Sequence, residues 1–332
     1  MPSAGELPTL TFKGKLKHIS VYIRQNKYDP TRTTSLRNAF AAQFAKRFKA
    51  LQRAIVKKIV DDDCFGIADQ SYRLTVMSGE FNFVRSAEKV DAFMVWLKQQ
   101  EALGLLSLGS AQQIGVAVEQ SWMNVYLLDS YQRGVERARY ELIKAGFGVP
   151  SIEASGGILA AMQVPFHIDR VGLVYSRAFS ELKGITDSMD KQISQVLSQG
   201  MIDGDNPIKI ARKLVKTMMG TGDELGVKDT LGRWIPAKRR AEMLARTEII
   251  RAHHAATVQE YKNWGAEGVT VKAEWRTADY DVCPECAGLQ GTVFTLAAIE
   301  TKIPKHPNCR CCALPYKDSF AELIRARDAG EI

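Results

Sequence analysis

The sequence predicts a mainly α (α+β) protein: an elongated helical body with one long heptad helix, and a small C-terminal β-hairpin unit held by a Cys/His cluster. Three observations carry this. Apolar residues recur at helical spacing over most of the 332 residues. Eight of them keep a heptad seam between 168 and 199. Alternation replaces the helical period only after Gly268, close to five of the six cysteines.

Composition suits a chain that buries a core, at 45% hydrophobic and 25% charged residues. No run of 18 apolar residues exists, so no membrane-spanning helix is expected. Met1 to Leu16 lacks the apolar stretch of a secretory signal. Clustered cysteines do not form a spread disulfide framework, which points to a reducing compartment. Cys64 stands apart and reads as a small buried hydrophobe. Composition and breaks divide the chain into a basic, helical region (1–150), a linker with the long helix (151–204), a unit holding the Cys/His cluster (205–316) and a tail (317–332).

Charge is unevenly placed. Residues 1–60 contain 13 Lys/Arg and two acids, whereas the whole chain is only +8, so the remainder is slightly acidic. Thr33 to Val60 carries Arg37, Lys46, Arg47, Lys49, Arg53, Lys57 and Lys58 and no acid. Leu36, Phe40, Phe44, Phe48, Leu51, Ile55 and Ile59 recur every three or four residues through it. An amphipathic helix with one basic face follows, with Thr34 or Ser35 as N-cap and Asp61-Asp62-Asp63 at its end. Those seven cations are candidate contacts to a polyanion, most simply double-stranded DNA without sequence preference. A solvated face that keeps the protein soluble is the competing reading.

Further helices follow in order. Ala87–Gln100 places Val90, Phe93, Met94 and Leu97 on one side, and Gly104 and Gly109 bound an apolar turn. Ala111–Ala145 is one long helix or two, whose Trp122, Tyr126, Tyr131 and Tyr140 read as core or helix interface. After a Gly/Pro/Ser break, Val171, Val174, Ala178, Leu182, Ile185, Met189, Ile193 and Val196 make the seam of a helix on the order of 45 Å long. That seam packs within the chain or supports self-association through helix 168–199. Asn206-Pro207 opens a short helix as N-cap and first-turn proline. Gly220–Arg233 has no Gly-Lys-Ser/Thr and reads as a surface loop. Pro236–Ala266 is a strong helix with a stripe of Met243, Thr247, Ile250, His254, Val258 and Tyr261. Glu248 and Arg251, three apart, are expected to pair. Val269 to Trp275 reads as a strand, Thr292-Val293-Phe294 as a strand pairing back, and Ser319–Ala329 as a last helix.

Cys283-Pro-Glu-Cys286 and His306-Pro-Asn-Cys309-Arg-Cys311-Cys312 carry the most specific chemistry. Zinc takes four soft donors at the corners of a tetrahedron, and each motif can give two from one tight turn. Cys283, Cys286, His306 and Cys309 form the favoured set, with Cys311 as an alternate to His306. Such a set leaves no position for water, so the expected role is structural and no catalytic residue is assigned. Reduced thiols or a local disulfide are the readings without metal.

In order along the chain stand Ala245-Arg246-Thr247-Glu248, then Trp275-x-Thr277-x-Asp279, then Cys283-x-x-Cys286-x-x-Leu289-x-Gly291, then His306-Pro307-x-Cys309-Arg310-Cys311. This combination resembles the phage head morphogenesis family, the minor head proteins that include the Mu F protein, over about residues 205–316. Asp29-Pro30-Thr31-Arg32-Thr33 and the basic helix also resemble minor head proteins. The resemblance implies a virion component inside the head, present in the host cytoplasm during assembly. Its implied partners are the portal, capsid and scaffold proteins, with no membrane at rest, and some members contact packaged DNA. Arg246, Thr247, Glu248, Trp275 and Asp279 would be the structural motif residues. An enzyme is not expected. A zinc-stapled nuclease of the His-Asn-His type needs a general-base histidine, but cysteines follow His306 directly. An ADP-ribosyl transferase needs a Glu-x-Glu absent from the C-terminal half. A zinc-ribbon DNA-binding protein is the non-enzymatic alternative.

Overall fold

The computed structural model describes residues 29–67, 83–106, 121–219, 227–228, 234–266, 271–278 and 281–318. Asp279, most of the 220–233 loop, Gly109 and the helix expected over 319–329 lie outside them.

The described chain is mainly helical, 69% helix, with a small antiparallel sheet near its C-terminus. Helix α1 (Thr34–Val56) begins where Asp29 gathers donors. The Asp29 carboxylate accepts from Thr31 N and Oγ1, Thr33 N, Thr34 Oγ1 and Arg37 Nη2. Thr33, not Thr34 or Ser35, is the N-cap residue, and Asp29 takes over the capping role. The expected stripe Leu36, Phe40, Phe44, Phe48, Leu51, Ile55 and Ile59 is buried. A π-helical turn, Lys57–Asp61, closes the helix, and Lys58 pairs with Asp62 at 3.6 Å.

Helix α2 (Phe83–Glu101) buries Val90, Phe93 and Leu97 and runs into a π-helical turn, Ala102–Leu106, whose Leu105 and Leu106 are buried. Helix α3 (Asn124–Lys144) follows. Trp122 and Tyr126 pack around Phe40 and Phe44, and Tyr131 is fully buried. These aromatics are core, as expected; Tyr140 alone is exposed. A break and the short α4 (Ile158–Met162) lead to α5 (Pro165–Ile202), with Pro165 at its start. At 38 residues α5 extends about 57 Å at ~1.5 Å per residue.

The α5 seam faces this chain's own helices. Val174, Ala178, Leu182, Met189, Ile193 and Val196 are buried in one core with residues of α1, α2 and α3. Helix α5 lies against α2, α6 (Pro207–Met219) and α7 (Ala237–Ala266). Of the two expected arrangements for the seam of helix 168–199, the described residues show packing within the chain. Helix α6 is capped as its sequence predicts, the Asn206 Oδ1 accepting from Lys209 N at 2.9 Å.

Helix α7 organises the molecule, because it is buried on several faces. Ala237, Ala241, Ala245, Ile249, Ala252 and Ala256 form a row of mostly small residues against the main core. Ile250 and Val258 face a second cluster around Trp275 and the cysteines. Tyr261 joins a third with Ala138, Leu142 and Phe147. The small residues permit close approach. A Cβ added at Gly134 of α3 would lie 2.5 Å from the His253 carbonyl oxygen and 2.7 Å from the Ala256 Cβ.

A buried polar network ties these helices together. Glu260 of α7 accepts from Arg139 Nε at 2.6 Å, meets His167 Nε2 at 3.2 Å and accepts from Trp264 Nε1 at 2.9 Å. His167 Nδ1 lies 2.9 Å from the Tyr131 hydroxyl. Burial pushes the Glu260 carboxyl up, but the His167 hydrogen bond and the Arg139 charge outweigh it and hold it below the usual range.

After α7 comes a sheet in the order β4-β3-β5, built from β3 (Lys272–Arg276), β4 (Val293–Phe294) and β5 (Cys312–Tyr316). Both pairings are antiparallel, with Ala273 opposite Phe294 and Trp275 opposite Ala313. Ala273 and Trp275 are buried and their neighbours are half-buried, the alternation expected of a strand covered on one side. A separate pair, β1 (Val227–Lys228) and β2 (Trp234–Ile235), lies before α7.

Candidate functional site

The Cys/His cluster is assembled by two tight turns pressed against α7. Cys283 is the N-cap of the one-turn helix α8 (Pro284–Ala287), and its Sγ accepts from Cys286 N at 3.4 Å. Pro284, with its preset φ, suits the first helical position. This turn aims both Cys283 and Cys286 at His306. Trp275 pairs its backbone with the end of the same loop: Trp275 N donates to Thr292 O at 2.8 Å and Gly291 N to Trp275 O at 2.9 Å. Gly291 holds the turn at φ +77, where a Cβ is disfavoured. Gln290 Oε1 accepts from both Thr277 N and Thr277 Oγ1, fixing the exit of β3.

The second turn is fixed from α7. Asn308 N donates to Thr247 Oγ1 at 3.1 Å, and His254 Nε2 meets the carbonyl of Ile299, the last residue of helix α9 (Leu296–Ile299), at 3.0 Å. The carbonyl can only accept, so His254 carries its proton on Nε2. Asn308 has φ +61, a left-handed conformation that asparagine tolerates. Arg310 crosses between the turns, donating from Nη2 to the Asp281 carbonyl at 2.5 Å.

Two overlapping donor groups result: Cys283, Cys286 and His306, and Cys286, Cys309 and Cys311. Ligand atoms within each lie within 4.8 Å of one another. His306 Nε2 stands 3.2 Å from Cys283 Sγ and 3.3 Å from Cys286 Sγ. Donors on one tetrahedral zinc would stand about 3.5–3.8 Å apart, given bonds of ~2.0–2.3 Å. His306 Nδ1 is 2.9 Å from the Pro307 carbonyl, which can only accept, so Nδ1 holds the proton and Nε2 turns its lone pair to the thiols. The residues therefore fit a metal ion. All six cysteines are free thiols in this structure.

The thiols differ electrostatically. Cys309 is held down to about 5, first by its hydrogen bond with Cys311 and despite burial. Cys311 is raised, first by that same bond and then by burial. Burial pushes Cys286 up to about 12. Cys309 and Cys311 join Cys286 in the second group, so the favoured four do not form one group: Cys286 is shared by a triad with Cys283 and His306 and a triad with Cys309 and Cys311. Cys312 instead starts β5 and is buried outside both donor groups.

The remaining motif residues support this unit. Trp275 is fully buried. Glu248 is buried in α7 and accepts from Arg251 Nε at 3.0 Å, the expected pairing, with Arg177 Nε at 3.8 Å. Burial raises its carboxyl despite both cations. Arg246 is half-buried, without an ion pair to a described residue. Sequence reading missed the role of the Thr247 hydroxyl as an acceptor for the ligand loop; its place two turns before His254 on the same stripe was the available signal.

The seven basic residues fall into four groups, of which Lys58 is half-buried and paired with Asp62. Lys46, Lys49, Arg53 and Lys57 are exposed. Arg47 is half-buried, its guanidinium 4.2 Å from the Trp122 ring centroid and Nη1 donating to Gly104 O at 2.5 Å. Arg37 corrects the expectation of a polyanion contact. It is buried and bonded to Asp29 at 2.8 Å, where it completes the α1 cap.

A helix-backed small sheet closed by a soft-donor cluster defines a candidate metal-stapled unit. Residues 191–314 match the family model described as Phage Mu protein F like protein. The match supports the resemblance to the head morphogenesis family and, coarsely, a bacteriophage head morphogenesis protein. It begins inside α5, upstream of the motifs that carry the resemblance. No curated protein and no solved structure matches the chain. Among the described residues, no helix is long and apolar enough to cross a membrane.

Proposed function

We propose that the chain is a minor head protein of a bacteriophage, associated with the portal inside the capsid, which acts in procapsid assembly and contacts DNA without sequence preference. The observation that supports it is the family match over residues 191–314, the stretch that holds both Cys/His donor groups. The role is architectural and involves no turnover. Helix α7 joins that unit to the helical body, and the exposed cations of α1 supply the nucleic-acid contact.

Zinc is the proposed ion, with Cys283, Cys286, His306 and Cys309 as ligands and Cys311 as the alternate to His306; these five donors fall in two groups of three that share Cys286. A closed set of protein donors would crosslink α8 to the loop around Asn308 and stabilise the fold. Particles assembled with and without the protein, imaged with its position located relative to the portal, test the proposal. Density at the inner portal face that vanishes with the protein is expected. Location on the outer capsid or tail overturns it.

A further inference from the structure

The basic helix α1 has a neighbour of the same character. Helix α6 runs from Pro207 to Met219 without an acid, and lies against both α1 and the Lys57–Asp61 turn. It buries Ile210, Leu214 and Met218 toward the core and exposes Arg212 and Lys216 on its opposite side. Lys46, Lys49 and Arg53 of α1 and Lys57 of the turn that closes it follow one exposed line at spacings of three, four and four residues. None of these six cations has an ion pair with a described residue. Their neighbours do: Lys58 meets Asp62, and Lys209 and Lys213 meet Asp205 at 2.5 Å each. Acids are thus confined to the ends of the two helices, while the middle of each exposed face is left purely cationic.

We propose that α1 and α6 form one surface for the phosphate backbone of duplex DNA, with Lys46, Lys49 and Arg53 from α1 and Lys57 from the turn that closes it joined by Arg212 and Lys216 from α6. This rests on the DNA contact proposed above and extends it to a second helix. Charge complementarity selects a polyanion. Of the exposed large apolar side chains, none lies on α1 and only Ile208 on α6, so the apolar centre of a protein interface is missing among the described residues. A single strand would call for exposed aromatic side chains to stack its bases. The aromatics of α1, Phe40, Phe44 and Phe48, are buried. Backbone contact alone reads no sequence, which fits packaged DNA of any composition.

The test is DNA binding by the full-length protein over a range of salt concentrations, with a mixed-sequence duplex and a single strand of the same length. Wild type should prefer the duplex, with log K falling linearly in log salt. Lys49→Gln/Arg53→Gln and Arg212→Gln/Lys216→Gln should each reduce the slope by ~1.8, at ~0.9 per phosphate contact. Their thermal melting should match wild type, since all four side chains are exposed. An unchanged slope in the α6 variant alone overturns the two-helix surface and leaves the DNA contact standing. Unchanged slopes in both variants, or no binding by wild type, overturn the DNA contact as well. Equal or tighter binding of the single strand overturns the assignment to a duplex. Lost incorporation into procapsids with DNA slopes intact reassigns the surface to a protein partner.

Discussion

The Asn308 backbone N–H donates to the Thr247 hydroxyl across 3.1 Å, joining the middle of α7 to the loop that carries His306 and Cys309. The same hydroxyl donates to Met243 O at 2.8 Å, so both its donor and its acceptor capacity are used. A short sequence motif on a helix thus acts as the rest for a metal-ligand turn.

Thr247→Val keeps the side-chain shape and removes that acceptor. The bond is partly solvent-accessible, so a loss of about 1 kcal/mol is expected in urea unfolding. Thr247→Ser should retain most of the stability. Metal release to a chelator should be faster in the valine variant than in the serine variant, because the ligand turn loses its support.

Purified protein is expected to carry zinc at close to stoichiometric amount by elemental analysis. Chelation or Cys283→Ser should lower stability by ~2 kcal/mol or more. His306→Ala and Cys311→Ser separate the two ligand sets: the variant that loses metal identifies the fourth donor. Retention of full stability after chelation would count against a structural metal.

Glu260→Gln should destabilise by about 3 kcal/mol, because Arg139 then stays buried without its counter-charge. Combining Glu260→Leu with Arg139→Met should cost less than Glu260→Gln alone, read by denaturant titration. Greater loss in the double variant would argue that the hydrogen bonds, not the charges, matter at this position.

Gly134→Ala should lose about 2 kcal/mol despite the better helix propensity of alanine, because the added methyl meets backbone at the α3–α7 contact. Gly172→Ala and Gly184→Ala, with nothing within 4 Å of the added Cβ, should instead gain up to ~1 kcal/mol. Thermal melting of the three variants checks the contrast.

Burial holds His253 down to about 3 and His254 down to about 4. Both lie below the ordinary histidine value of about 6.5, so over the interval between the two the unfolded chain binds more protons. Stability is therefore full above about pH 6.5 and falls as pH drops, by up to ~1.4 kcal/mol per unit for each histidine. Urea midpoints at neutral pH and near pH 5 measure this, and His253→Gln should flatten part of the dependence.

The helical period made α1, α5, α6 and α7 legible, since each has a continuous apolar line. Ligand spacing likewise marked the Cys/His cluster. The strand β5 was not legible: Cys312-Ala-Leu-Pro-Tyr lacks clear alternation and is half-buried toward its end. The burial of α7 on several faces was hidden because alanine carries little hydrophobic signal, although its packing depends on small size. Arg37 looked like the other cations of α1; only the fold brings Asp29 beside it. The Arg139–Glu260–His167 network joins residues more than ninety positions apart in one of its bonds, with a separation of 121 in another, beyond the reach of any local pattern.

The alanine row of α7 bears on how the protein can be dissected. Ala241, Ala245, Ile249, Ala252 and Ala256 complete the core shared with α1, α3 and α5. A fragment that starts at Asp205 would keep the cysteine turns and the sheet, yet leave this row facing water. Excision there would yield a sticky, poorly soluble piece. An expression trial that retains α3 and α5 beside α7 would keep the row sheltered and the ligand turns in place.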